Sequence, residues 1–187
     1  MTCSHPIQLK SGIIVPCGRC INCRIAHSRE WAVRLMMETE QHPCSLYVTL
    51  TYDNEHLPEG YTLDPDELQR FWKRLRKRLG NQKIKYFACG EYGERFGRPH
   101  YHAIIFNMYF KQRKELSDAW PYGHNKVGTV TYNSCRYVAD YIMKKQIGES
   151  ADEYYGDRVH PFIRASNGLG LETAKRDLDQ IIKGPGS

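Results

Sequence analysis

The chain has 187 residues, 41% of them hydrophobic and 26% charged, which suits one globular domain with a core of its own. Twenty-seven Lys and Arg against 21 Asp and Glu leave a formal charge of +6, a weak lean toward anionic partners. No apolar run approaches a membrane span and the N-terminus lacks a signal-peptide core, so a membrane role is excluded and a cytosolic setting is expected.

Residues 1–23 have little periodicity and hold four of the seven cysteines: Cys3, Cys17, Cys20 and Cys23. In a reducing compartment these are metal ligands before they are disulfides. Four thiolates suit tetrahedral Zn²⁺ as a structural staple. The Cys-x-x-Cys-x-x-Cys run also fits iron–sulfur ligation, and His5 or Cys44 could replace one thiolate. Cys89 and Cys135 read as small buried residues.

A helix is expected over 24–41, ended by His42-Pro43, and a strand over 44–52, with Leu46, Val48, Leu50 and Tyr52 opposing Tyr47, Thr49 and Thr51. Asp64-Pro65-Asp66-Glu67 is a helix start, with Asp64 as cap; Leu68, Phe71, Trp72, Leu75 and Leu79 follow as an apolar stripe up to Gly80-Asn81. Residues 69–85 contain eight basic residues and no acidic one. Such a block is either a solvated helix face or a phosphate-binding surface, and Arg74, Lys77 and Arg78 are its candidate DNA contacts.

Strands are expected over 84–91 and from about His100 to Phe106, joined by a Gly-containing loop. A short helix over 112–119, a turn at Pro121-Tyr122-Gly123 and a strand over 126–132 come next. Ser134 is the expected cap of a helix reaching about Gln146; a strand over 159–164 and a helix over 171–182 complete the chain. The pattern predicts an α+β fold with an antiparallel sheet, residues 1–183 forming one domain and 184–187 a vector-derived tail.

Two constellations carry chemistry. His100 and His102, two apart on a strand, share a face, and a carboxylate from Glu91 on the neighbouring strand can join them; Glu94 in the loop is the weaker third candidate. Two imidazoles and a carboxylate leave positions open for phosphate oxygens, and the mixed donor set suits Mn²⁺ somewhat better than Mg²⁺. Tyr137 and Tyr141, four apart on a helix, also share a face, with Lys144 and Lys145 just beyond as phosphate contacts. Each pair alone has a plainer explanation in packing. Together they suggest tyrosine attack on a phosphodiester beside a metal ion.

The histidine strand, the paired tyrosines with the following lysine, and Tyr47-Val48-Thr49-Leu50-Thr51-Tyr52 resemble three motifs of the HUH endonucleases. More narrowly, residues 16–23, Thr49-Leu50-Thr51-Tyr52-Asp53, Gly90-Glu91-Tyr92-Gly93 and Arg98-Pro99-His100-Tyr101-His102 resemble replication initiation proteins of gokushovirus-type microviruses, which are single-stranded DNA phages. The resemblance implies a five-stranded antiparallel sheet flanked by helices, with His100, His102 and Glu91 as metal ligands and Tyr137 and Tyr141 as nucleophiles. It further implies nicking of a single-stranded phage origin, a 5′-phosphotyrosine intermediate, strand rejoining, and work with host replication machinery in the bacterial cytoplasm. Tyr141 with Lys144 matches the Tyr-x-x-Lys arrangement of single-tyrosine relatives and is expected to make the first cut. Family members are usually longer, so a C-terminal region is expected to be missing. The rival reading is a non-catalytic, zinc-stabilised module that binds single-stranded nucleic acid.

Overall fold

In a computed structural model of the chain, residues 2–144 and 153–183 are described. A two-stranded hairpin, β1 (Ile7–Gln8) and β2 (Ile14–Val15), opens the fold. Then follow α1 (Ile21–Glu40), β3 (Ser45–Thr51), α2 (Pro65–Leu79), β4 (Lys85–Tyr92), β5 (Pro99–Phe106), α3 (Arg113–Ala119), β6 (Asn125–Thr129), α4 (Tyr132–Lys144), β7 (Phe162–Ala165) and α5 (Leu171–Lys183). The five longer strands form one antiparallel sheet in the order β6-β3-β5-β4-β7, as expected from the sequence.

Alternation along the strands divides the core in two. Leu46, Val48 and Leu50 of β3 and Tyr101, Ala103 and Ile105 of β5 meet the apolar stripe of α2, with Leu116 of α3 beside it. On the opposite face Phe87 and Cys89 of β4 and Ile104 and Phe106 of β5 meet Leu35 of α1 and Cys135, Val138 and Tyr141 of α4. The central strand β5 is covered on both sides, which is why it reads as a nearly unbroken apolar run. Truncating Phe106, fully buried there, would cost about 3–5 kcal/mol.

α2 starts as its sequence demands. The Asp64 side chain accepts from the backbone N–H groups of Asp66 and Glu67, Pro65 occupies the first helical position, and Gly80 ends the helix at φ 61°.

Three local expectations are corrected. α1 begins at Ile21 rather than at residue 24, so Cys23 lies in its first turn. β6 ends at Thr129, and Tyr132 starts the following helix instead of ending the strand. The cap of α4 is Thr131, not Ser134: Ser134 N–H donates to Thr131 Oγ1 at 3.2 Å, and Thr131 N–H donates back to Ser134 Oγ at 2.8 Å. That reciprocal arrangement satisfies two donors at once, which a Ser134 cap could not. The expected end of the helix at 146 lies outside the described residues.

α5 is fastened to α1 by polar contacts. The buried Glu38 carboxylate accepts from Gly170 N–H at 2.8 Å and from His42 and Lys85, and Thr173 Oγ1 donates to Met37 O. Gly170, at φ 73°, passes so close to Arg34 that a Cβ there would lie 2.8 Å from the Arg34 carbonyl oxygen.

Candidate active site and metal centres

β4 and β5 are neighbours in register, with Glu91 opposite His100 and Cys89 opposite His102. The alternation that sends Ile104 and Phe106 toward α1 and α4 therefore sends His100, His102 and Glu91 to the same face, where the apolar layer ends. Glu91 Oε1 lies 2.7 Å from His100 Nε2 and 2.9 Å from His102 Nε2, and one ligand atom from each residue falls within 4.8 Å of the others. Burial alone would raise the Glu91 carboxyl, but the two imidazoles hold it below the usual carboxylate range. Glu94 is exposed in the loop and stands outside this group.

The far side of each ring is also held. His100 Nδ1 lies 3.1 Å from the Arg98 carbonyl oxygen, an acceptor only, so Nδ1 carries the proton and Nε2 is the atom turned to the carboxylate. His102 Nδ1 lies 2.8 Å from Tyr47 Oη and 3.0 Å from Thr49 Oγ1. Burial pushes the Tyr47 phenol up to about 12, so it remains a neutral partner. The sequence reading placed Tyr47 and Thr49 on a strand without assigning them to the site. Their shared face was legible from the alternation; that β3 would pair with β5 was not.

α4 lies across this end of the sheet and carries both tyrosines to the histidines. The Tyr137 ring meets His102 edge-on at 5.2 Å between centroids, and the Tyr141 ring stacks on His102 at 5.7 Å. The two phenols differ in surroundings: Tyr137 is 45% exposed and Tyr141 only 4%. Burial, then its hydrogen bond with Tyr137 and the nearby Glu91 charge, push the Tyr141 phenol far above its ordinary value. Glu91 and Tyr141 border a cleft of about 440 Å³, closed on its other side by Tyr92, Tyr154, Tyr155 and Arg158.

Of the expected phosphate contacts, the side chain of Lys144 and the whole of Lys145 lie outside the described residues. Arg74, Lys77 and Arg78 are not part of this centre, because α2 packs on the opposite face of the sheet. Arg74 is half-buried, donating to the Ala119 carbonyl at 2.8 Å; Arg78 pairs with Asp118 at 3.3 Å; Lys77 is exposed.

The four N-terminal cysteines converge as well. All four sulfurs fall within 4.8 Å of one another, with Cys3–Cys20 at 3.8 Å and Cys17–Cys23 at 3.9 Å. Thiolates at about 2.3 Å from one tetrahedral ion lie about 3.8 Å apart, so the donor set fits such an ion. Clusters of several irons spread their cysteines over different metal atoms and need wider spacing. Neither His5 nor Cys44 belongs to the group. Backbone N–H groups of Ser4 and Cys23 draw the Cys20 thiol down to about 5, and those of Cys20 and Arg19 lower Cys17, while burial pushes Cys23 up to about 12.

Residues 45–146, which contain the triad and both tyrosines, match the family described as replication-associated protein ORF2. The chain is 34% identical to replication-associated protein ORF2 of Spiroplasma virus 4 over 193 aligned positions, covering 90% of this chain and 59% of that protein. It is 32% identical to replication-associated protein ORF4 of Chlamydia phage 1, covering 90% of this chain and 48% of the relative. It is 33% identical to replication-associated protein VP4 of Bdellovibrio phage phiMH2K, covering 81% and 54%. The chain thus spans about half to three-fifths of the length of these curated relatives, and no solved structure matches it. The resemblance to microvirus replication proteins read from the motifs is borne out: the chain belongs to the replication-associated protein ORF2 family.

Proposed function

We propose that this chain nicks single-stranded DNA at a phage replication origin by tyrosine attack and later rejoins strands. One observation carries the reading: Glu91, His100 and His102 converge within ligand distance, and both α4 tyrosines touch His102. The three side chains would hold Mn²⁺ or Mg²⁺, which when bound supplies positive charge to a phosphate oxygen and to the oxygens entering and leaving phosphorus.

Tyr141 borders the same cleft as Glu91 and is assigned the first attack. Its oxygen bonds to phosphorus, the bond to the 3′ oxygen breaks, and the products are a 5′-phosphotyrosine and a free 3′-hydroxyl. The bond energy is kept in the phosphotyrosine, so a hydroxyl can later reverse the step. A buried, hard-to-ionise phenol is a poor nucleophile by itself, consistent with a dependence on the metal-binding residues. Tyr137, more exposed and 5.3 Å from Tyr141 between ring centroids, is placed to make the second cut while the first end is held. Host polymerase would extend the released 3′-hydroxyl in the bacterial cytoplasm. The four cysteines would hold Zn²⁺ as a structural ion.

Among the described residues no helix is long and apolar enough to cross a membrane. The test is incubation of the protein and Mn²⁺ with single-stranded oligonucleotides tiled across a microvirus origin, followed by peptide mass spectrometry. The expected result is a nucleotide adduct on Tyr141 or Tyr137 that vanishes in Tyr137→Phe/Tyr141→Phe. Binding to these strands without any adduct would favour a non-catalytic single-strand binder.

A further inference from the structure

The β4–β5 connection, residues 93–98, carries a phenylalanine that the core does not use. Phe96 is 70% exposed, and the Arg95 guanidinium lies 5.0 Å from its ring centroid. The loop beneath it is tightly held. Gly93 N–H donates to Arg98 O at 3.0 Å, and Gly97 N–H donates to Gly93 O at 2.8 Å. Arg98 is clamped by Asn54 Oδ1 at 2.8 Å and by the carbonyls of Tyr52 and Asp53 at 3.0 and 3.2 Å. The ring is therefore presented outward on a fixed support and not on a loose tip.

Phe96 also walls a cleft of about 280 Å³ whose other sides include Thr51, Arg98, Pro99 and His100. That volume is at the lower edge of small-ligand sites, suited to one flat group. The cleft opens beside His100, while the Glu91–Tyr141 cleft lies on the other side of the same loop, which contributes Gly93 and Glu94 to both. A strand whose phosphate sits at the triad must run a neighbouring nucleotide past this wall. An aromatic face with an adjacent guanidinium is the chemistry that holds an unstacked base and its phosphate.

The geometry points to Phe96 as a stacking platform for one unpaired nucleobase of single-stranded DNA beside the reacting phosphate. This rests on the nicking reading for the position of the strand, but not for the stacking itself. A duplex cannot use the platform, because its bases are already stacked.

The test compares the native protein with Phe96→Ala and Phe96→Trp by fluorescence anisotropy on two labelled strands of about 20 nucleotides, oligo-dT and an abasic strand with the same number of phosphates. Phe96→Ala is expected to weaken oligo-dT binding roughly 5- to 100-fold, to leave the abasic strand unaffected, and to be rescued by Phe96→Trp. Unchanged oligo-dT affinity, or an equal loss on both strands, overturns the platform. Adduct formation by the native protein is scored separately. An adduct with no Phe96 effect removes the platform and leaves the nicking reading; a Phe96 effect with no adduct on any origin strand does the reverse.

Discussion

Glu91 stands directly opposite His100 in the β4–β5 register, with its Oε1 2.7 Å from His100 Nε2. The carboxylate and both imidazoles therefore come from adjacent strands of a single hairpin. Their spacing is set by backbone pairing, so the geometry is rigid before any substrate arrives.

The two tyrosines should separate by assay. Tyr141→Phe is expected to lower the first cleavage of an origin strand by about a thousandfold or more, as loss of a nucleophile does. Tyr137→Phe should keep that cleavage and lose strand transfer from a preformed adduct. Gel assays of nicking and of joining read the two steps; the opposite pattern would exchange their roles.

Tyr47 and Thr49 hold the far nitrogen of His102. The Tyr47→Phe/Thr49→Val double variant should bind Mn²⁺ about 10- to 100-fold more weakly by calorimetry, because outer partners fix ring orientation and ligand basicity. Each single variant should lose less, since one hydroxyl remains. An unchanged affinity in the double variant would show that the ring is held by packing alone.

The cysteine centre predicts one tightly bound zinc per chain, measured by elemental analysis. Replacing zinc with cobalt should give the visible absorption of a tetrahedral thiolate site. Cys20→Ser should lower zinc retention and expose residues 2–23 to protease while the sheet stays folded. Full zinc occupancy in Cys20→Ser would remove that sulfur from the ligand set.

Burial would raise the Glu38 carboxyl, but the Lys85 ammonium at 2.8 Å, the Gly170 N–H and His42 together hold it below its ordinary value. The folded state therefore binds its proton less readily than the unfolded chain. The resulting stabilisation is complete above a pH of about 4.3 and is lost as pH falls through the folded value. Urea midpoints between neutral and acid pH should fall more for the native protein than for Glu38→Gln, which at neutral pH should cost about 1–2 kcal/mol. Parallel acid curves for the two proteins would count against this role.

Much of this was readable in advance wherever local periodicity decided the outcome. The His100/His102 face, the Asp64 cap and the apolar stripe of α2 each depend on residues a few positions apart. What depended on distant pairing was hidden. The short β1–β2 hairpin and the early start of α1 are imposed by four cysteines gathering, which strand and helix patterns do not encode. The basic run on α2 was legible as a run, but the side of the sheet it would occupy followed only from the crossover between β3 and β4. Thr131 was overlooked as a cap because the Val and Thr before it read as continuing strand.

α1 begins within the cysteine cluster, at Ile21, and packs along α4, to which Ser28 Oγ is joined by a 2.5 Å hydrogen bond to Asp140, the neighbour of Tyr141. An N-terminal staple and a phenol far away in sequence are thus ends of one lever. Loosening the first should let the second drift, and stripping the sulfur-bound ion would then blunt cutting without disturbing a single ligand of the histidine centre.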